Sequence, residues 1–140
     1  SFALQWLNNP SKRLEEWFSA LPSNGYLAVA IPIAGSFPEW RLASKKANVK
    51  CTAMPLPSRE AILKSIPPSC IKFQRILPFT QIEDNVPSLF KSMRKIGAQS
   101  TPNPSLGIRE WRKVNLVWPR NKIDKATKLT WLIQILLIER

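Results

Sequence analysis

Behind Asn8, Asn9, Pro10 and Ser11, apolar side chains recur at helical spacing as Leu14, Trp17, Phe18 and Leu21. The polar residues can cap a helix and the proline suits its first turn, so the pattern predicts an amphipathic helix over 10–21. Ser23, Asn24 and Gly25 break it. Residues 26–33 then form a nearly continuous apolar run without polar alternation, which reads as a buried strand of a parallel sheet. Helix, glycine turn and strand in that order make the second half of a βαβ unit, so an α/β fold is expected, with a further strand just before Ser1.

Ser36 and Glu39 match a capping-box spacing and predict a helix running to about 47. Pro57 and Ser58 open another over 59–66, which Pro67 and Pro68 stop. Residues 70–80 alternate apolar and polar positions through Ile71, Phe73, Arg75 and Leu77, as an edge or near-edge strand with one wet face does. Leu89, Phe90, Met93 and Ile96 then recur at helical spacing, with Lys91, Arg94 and Lys95 between them, and Gly97 closes this basic amphipathic helix over 86–96. After the turn-rich residues 101–105 comes a weaker helical pattern over 108–117, with Trp111 and Leu116 as anchors. Residues 129–138, rich in β-branched and aromatic side chains, read as a long terminal strand.

At 140 residues and 44% hydrophobic, the chain has the composition of one soluble domain. Its apolar runs fall short of the roughly 20 residues of a membrane-spanning helix. No leader pattern marks the first residues for secretion, so a cytoplasmic setting is expected. Cys51 and Cys70 form no Cys-x-x-Cys pair, and with no histidine in the chain the reading is of two free thiols and no metal site. Without imidazole, Ser-His and Cys-His nucleophile schemes are excluded. A net charge of +12 points either to an acidic partner or to acidic parts of the same protein beyond these residues.

Motifs that bind phosphate are missing: neither a Gly-x-Gly-x-x-Gly turn nor a Gly-x-x-x-x-Gly-Lys loop occurs, and there are only four glycines. The nine carboxylates fall mostly on expected helix faces and termini rather than in an acid/base pair. Six tryptophans interleave with basic residues and raise a nucleic-acid stacking surface as a possibility, but Trp17 and Trp131 lie on core faces of their elements.

Three segments together carry a family resemblance. Ser1, Phe2, Ala3, Leu4, Gln5 and Trp6, followed by a helix and the strand from Gly25, resemble the region between the fourth and fifth strands of class I S-adenosylmethionine methyltransferases. Gly35, Ser36, Phe37, Pro38 and Glu39, then residues 92–98, then Leu129, Thr130 and Trp131 are similar to the malonyl-acyl-carrier-protein O-methyltransferases of biotin synthesis. The resemblance runs the whole length and implies the carboxyl-terminal part of a single Rossmann-like methyltransferase domain, with helical insertions and a terminal antiparallel strand pair at 70–80 and 129–138.

That family places its cofactor, S-adenosylmethionine, on a Gly-rich loop and a ribose-binding acid, which the resemblance would put upstream of Ser1. By the same resemblance, Phe2, Ala3, Leu4, Gln5 and Trp6 border the cofactor's methionine end and the substrate. Trp40 and Arg41 are candidates for shaping the substrate pocket, with a core tryptophan and a surface arginine as the alternative, and the charge of Lys91, Arg94 and Lys95 suits docking an acidic carrier protein or simply a solvated helix face. The implied reaction is methyl transfer to the free carboxyl of a malonyl thioester, with these residues inactive alone. A carboxylate of that kind is ionised at neutral pH, so alignment and desolvation are the protein's share of the work. Two alternatives stay open: another small-molecule methyltransferase, or a basic module that binds nucleic acid or an acidic protein. The strand over 26–33 also expects a parallel neighbour that these residues do not contain, and the apolar edge left exposed predicts aggregation or a self-paired dimer.

Overall fold

The computed structural model describes residues 3–95, 105–120 and 126–140, the side chains of Arg94 and Lys95 excepted. The elements are α1 (Pro10–Ser19), β1 (Tyr26–Pro32), α2 (Pro38–Lys46), α3 (Arg59–Lys64), β2 (Ile71–Glu83), α4 (Val86–Lys95), α5 (Ile108–Leu116) and β3 (Thr127–Glu139). Single 3-10 turns occupy Leu4–Trp6 and Pro68–Cys70. The fold is mixed α/β, with a three-stranded sheet in the order β1-β3-β2, so the last strand in sequence is the central one. β1 runs antiparallel to β3, with Tyr26 opposite Glu139 and Pro32 opposite Ile133. β2 also runs antiparallel to β3: the Thr127 hydroxyl donates to the Glu83 carbonyl, and farther along the pair the Gln134 amide donates to the Arg75 carbonyl.

Packing divides the chain into two units, Ser1–Ser36 with Pro55–Phe79 and Trp131–Arg140, and Phe37–Met54 with Thr80–Thr130. In the first, alternate positions of β1 (Val29, Ile31) and β3 (Leu136, Ile138) join Leu4, Leu14, Ile33, Ile62 and Ile66 in one buried cluster, with Trp17, Phe18 and Leu63 packed against it. Each such aliphatic side chain contributes about 1.5–3 kcal/mol on burial. The Asn9 side chain caps α1 by accepting from the Lys12 amide at 3.2 Å, and Ser58 caps α3 by accepting from the Ala61 amide at 3.1 Å. At the other end of α1, the Arg140 guanidinium donates to the carbonyls of Ser19 and Leu21, the favourable place for a cation at a helix C-terminus.

In the second unit, Val86, Leu89 and Met93 of α4, Val114 of α5 and Leu129 of β3 are buried. Asn85 caps α4 through the Ser88 amide at 2.9 Å, and the Glu110 carboxylate accepts from the Gly107 amide at 2.8 Å at the start of α5.

The structure corrects several expectations. The apolar run over 26–33 pairs antiparallel with β3, and no described strand lies on its other edge. Apolar continuity reports burial, not the direction of a neighbour, and even the burial is one-sided, since Ala28 is exposed and Ala30 half-buried. Ser36 and Glu39 do not form a capping box: Phe37 holds the N-cap position in a left-handed conformation, and no side chain caps α2. Leu116 is 81% exposed and anchors nothing, Val114 taking that role. The helix over 10–21 ends earlier, at Ser19, and both long strands extend past the expected bounds. β2 is an edge strand whose Ile71 packs against the core cluster and whose Leu77 is half-buried, while Phe73, Ile76, Phe79 and Ile82 are exposed. Ile96, Gly97 and residues 101–104 lie outside the described residues.

Candidate functional site

Gly35, with φ at +97°, turns the chain out of β1, and Ser36 follows against β3. The buried Ser36 hydroxyl donates to the Ile33 carbonyl at 2.8 Å and accepts from the Leu132 amide at 2.9 Å. In the second unit the Phe37 amide donates to the Thr130 carbonyl at 2.7 Å, and the Glu39 carboxylate accepts from the Thr130 amide at 2.9 Å and its hydroxyl at 2.5 Å. Two of the segments that carry the family resemblance, 35–39 and 129–131, are therefore hydrogen-bonded to one another.

α2, entered through this junction, delivers Trp40 into an aromatic cluster of the second unit. Phe90 of α4 is its hub: the rings of Trp40 and Trp111 each stand edge-on to it with centroids 4.6 Å away, and Trp118 follows at 5.8 Å. Phe37 and Trp111 lie 6.2 Å from Trp40. Edge-to-face packing of this kind adds about 0.5–1.5 kcal/mol per pair beyond area burial. Trp118 satisfies its indole N–H on the Lys128 carbonyl at 3.1 Å. Trp40 does not: its Nε1, the Ser44 Oγ one turn along α2 and the Asn115 Oδ1 on α5 are buried without a hydrogen-bond partner among the described residues. α2 packs on α5. Unmet polar atoms inside a helix packing are costly, and together with the aromatic cluster they mark this interior as the candidate site.

The ionised groups with perturbed pKa values lie elsewhere. In the first unit, Lys72 at 2.8 Å holds the Glu139 carboxyl below the ordinary glutamate range, and the Tyr26 hydroxyl, donating to the same carboxylate at 2.7 Å, adds to the shift. The Lys72 ammonium and the Tyr26 phenol are raised in return, each chiefly by its hydrogen bond with Glu139. This exposed triad staples the three strands.

The residues expected to border a cofactor separate. Phe2 lies outside the described residues, Ala3 is exposed, Leu4 is fully buried in the core cluster, Gln5 is buried and Trp6 is 38% exposed. A 3-10 turn over Leu4–Trp6 produces this split by rotating successive side chains about a third of a revolution apart. Trp40 and Arg41 part in the same way, Trp40 entering the aromatic cluster and Arg41 standing on the exposed side of α2. Of the expected docking residues, Lys91 is exposed on α4, whereas the side chains of Arg94 and Lys95 lie outside the described residues. Sequence reasoning missed Ser44, Asn115 and Gln134, the last a buried amide on β3 whose Oε1 has no partner among the described residues. A lone glutamine inside Leu132, Ile133, Ile135 and Leu136 was the available signal.

Cys51 and Cys70 are both unpaired thiols. No cluster of three metal-ligating side chains occurs among the described residues, and none of their helices is long and apolar enough to cross a membrane. No protein-family model matches the chain, and no curated protein matches it.

Proposed function

We propose that the chain is the carboxyl-terminal part of an S-adenosylmethionine-dependent methyltransferase that esterifies the free carboxyl of a malonyl thioester on an acyl-carrier protein, the reaction of biotin synthesis. The observation that carries this reading is the junction between residues 35–39 and β3. The segments whose sequence resembles that family lie 91 residues apart at Glu39 and Thr130, yet they form one hydrogen-bonded unit of structure. The adjacent antiparallel pair β2 and β3 agrees with the sheet ending that the resemblance implies.

S-adenosylmethionine supplies an electrophilic methyl group. Ala3 and Trp6, exposed beside the first unit's core, are the described residues of the amino-terminal segment able to touch it, and they form no cradle by themselves. The malonyl carboxylate needs no base, which agrees with a chain that has no histidine. What the chain offers is the aromatic cluster around Phe90, in which the Trp40 N–H is a donor without a partner among the described residues.

Calorimetric titration of S-adenosylmethionine tests the reading. These 140 residues alone should give no saturable heat, and the protein at its natural length should bind the cofactor. Failure of the longer protein to bind would overturn the assignment.

A further inference from the structure

Within the second unit α2 and α5 pack on one another, and their inward stripes have the same make-up. Trp40, Ala43 and Ser44 form the buried stripe of α2, and Trp111, Val114 and Asn115, at the same spacing, form the inward stripe of α5. Each stripe runs from an aromatic ring through an aliphatic side chain to a polar one. The aromatic ends are engaged: the Trp40 and Trp111 rings lie 6.2 Å apart and share Phe90 of α4. The polar ends are not. Ser44 Oγ and Asn115 Oδ1, like Trp40 Nε1, are shut away from solvent with no hydrogen-bond partner among the described residues.

Such atoms oppose the packing that buries them. A polar atom stripped of solvent and left unpaired keeps its full desolvation cost, and three of them set that cost against the ring pairs and the burial of Val114. The neighbouring elements are tied down by hydrogen bonds. Glu39 holds the start of α2 on Thr130, and the Ser92 hydroxyl of α4 donates to the Glu83 carboxylate at 2.9 Å. On α5 the side-chain hydrogen bond among the described residues stays within its own first turn, from the Gly107 amide to Glu110. Its outward positions Ile108, Arg109, Arg112, Lys113 and Leu116 are exposed. Just past its end, Trp118 is anchored by its indole N–H on the Lys128 carbonyl.

We infer that α5 is a lid, which opens from α2 and α4 about its Trp118 end without unfolding of the unit and so bares the Trp40 indole N–H and the Phe90 ring. In the open state Ser44 Oγ, Asn115 Oδ1 and Trp40 Nε1 regain water, and that recovered solvation offsets the ring contacts given up. The aromatic interior is thereby closed at rest and reachable through a local motion. The inference stands apart from the methyltransferase reading, since opening needs neither cofactor nor acceptor.

Native-state hydrogen exchange of the protein at its natural length tests the lid, under conditions in which exchange follows the opening equilibrium. The amides of α5 should be protected at least about tenfold less than those of α4 and of the middle of β3. Ser44→Ala and Asn115→Leu each delete one unmet polar atom and so favour the closed form. Protection of α5 should rise by about tenfold in at least one of them. Ser44 lies on α2, so its effect on α5 amides is one that fraying of a short helix would not give. Leucine at 115 is bulkier at its branch than asparagine, and the smaller alanine at 44 keeps the test open if that variant packs poorly. Equal protection of α5 and α4 in the wild type would mean that the helix leaves only when the unit unfolds. Protection of α5 within about twofold of wild type, or lower, in both variants would mean that the unmet atoms do not set the opening. Either result overturns the proposal.

Discussion

The Glu39 carboxylate accepts two hydrogen bonds from Thr130, one from the backbone amide and one from the hydroxyl, and so fixes the start of α2 to the central strand. A charge-assisted hydrogen bond contributes more than a neutral one, and its loss leaves the half-buried partner short. Thr130→Val, which removes the hydroxyl alone, should cost about 1 kcal/mol, and Glu39→Ala about 2 kcal/mol or more. In a urea-denaturation double-mutant cycle the pair should cost less than the sum of the two single changes. Strict additivity would mean that Glu39 acts only as an acid near a helix start.

Gly35→Ala isolates the turn that leads out of β1. The new Cβ would come within 2.9 Å of the Leu132 Cδ1, the movable tip of a side chain, so space is not the main obstacle. The backbone is: φ of +97° is a conformation that L-residues rarely adopt, and the substitution should cost about 1–2 kcal/mol, read as a lower urea midpoint. An unchanged midpoint would mean that the turn relaxes freely.

The Tyr26, Glu139 and Lys72 triad gives stability a pH dependence with a definite sign. Glu139 is depressed in the fold, so its contribution is complete above the unfolded glutamate value and is lost as pH falls through the folded one. Lys72 and Tyr26 are raised, so theirs are complete below their unfolded values, near 10, and are lost as pH rises through the folded ones. The stability deficit of Glu139→Gln relative to wild type should therefore be largest near about pH 7 and shrink toward about pH 3. A deficit independent of pH would remove the carboxylate from the account.

Trp40→Phe keeps an aromatic ring beside Phe90 but deletes the unpaired indole N–H. Removing a buried donor that has no partner relieves its desolvation cost, so stability should change by less than about 1 kcal/mol in either direction. If that N–H holds the acyl thioester, KM should rise several-fold with kcat little changed, a split that lost packing alone would not give. Equal KM values would place the substrate elsewhere.

Much of the secondary structure was legible in the sequence because it follows from local rules: the cap at Asn9, the cap at Ser58, the α4 stripe of Leu89 and Met93, and the β-branched terminal run each report their own element. What failed needed the tertiary context. An apolar run cannot report which way a neighbour points, and the partner observed for β1, the strand β3, runs antiparallel to it. Ser36 and Glu39 carry the side chains of a capping box, but Ser36 precedes the N-cap by one residue, and both are committed to β3, some 90 residues on, which no local pattern encodes. The candidate site was visible only as Trp40. Its partners Phe90, Trp111 and Trp118 come from separate helical patterns, and the unmet polar atoms of Ser44 and Asn115 become notable only once burial is known.

Mass spectrometry of the acceptor decides whether the proposed methyl transfer to a malonyl carboxyl takes place. Malonyl-acyl-carrier protein would be incubated with S-adenosylmethionine and the protein at its natural length, and the acyl group examined for a base-labile methyl ester. The account predicts one methyl group on the terminal carboxyl and none when the carrier bears an acetyl group, which has no free carboxyl. A cofactor-binding protein that leaves the malonyl group unmodified, or that methylates a different class of acceptor, would contradict it.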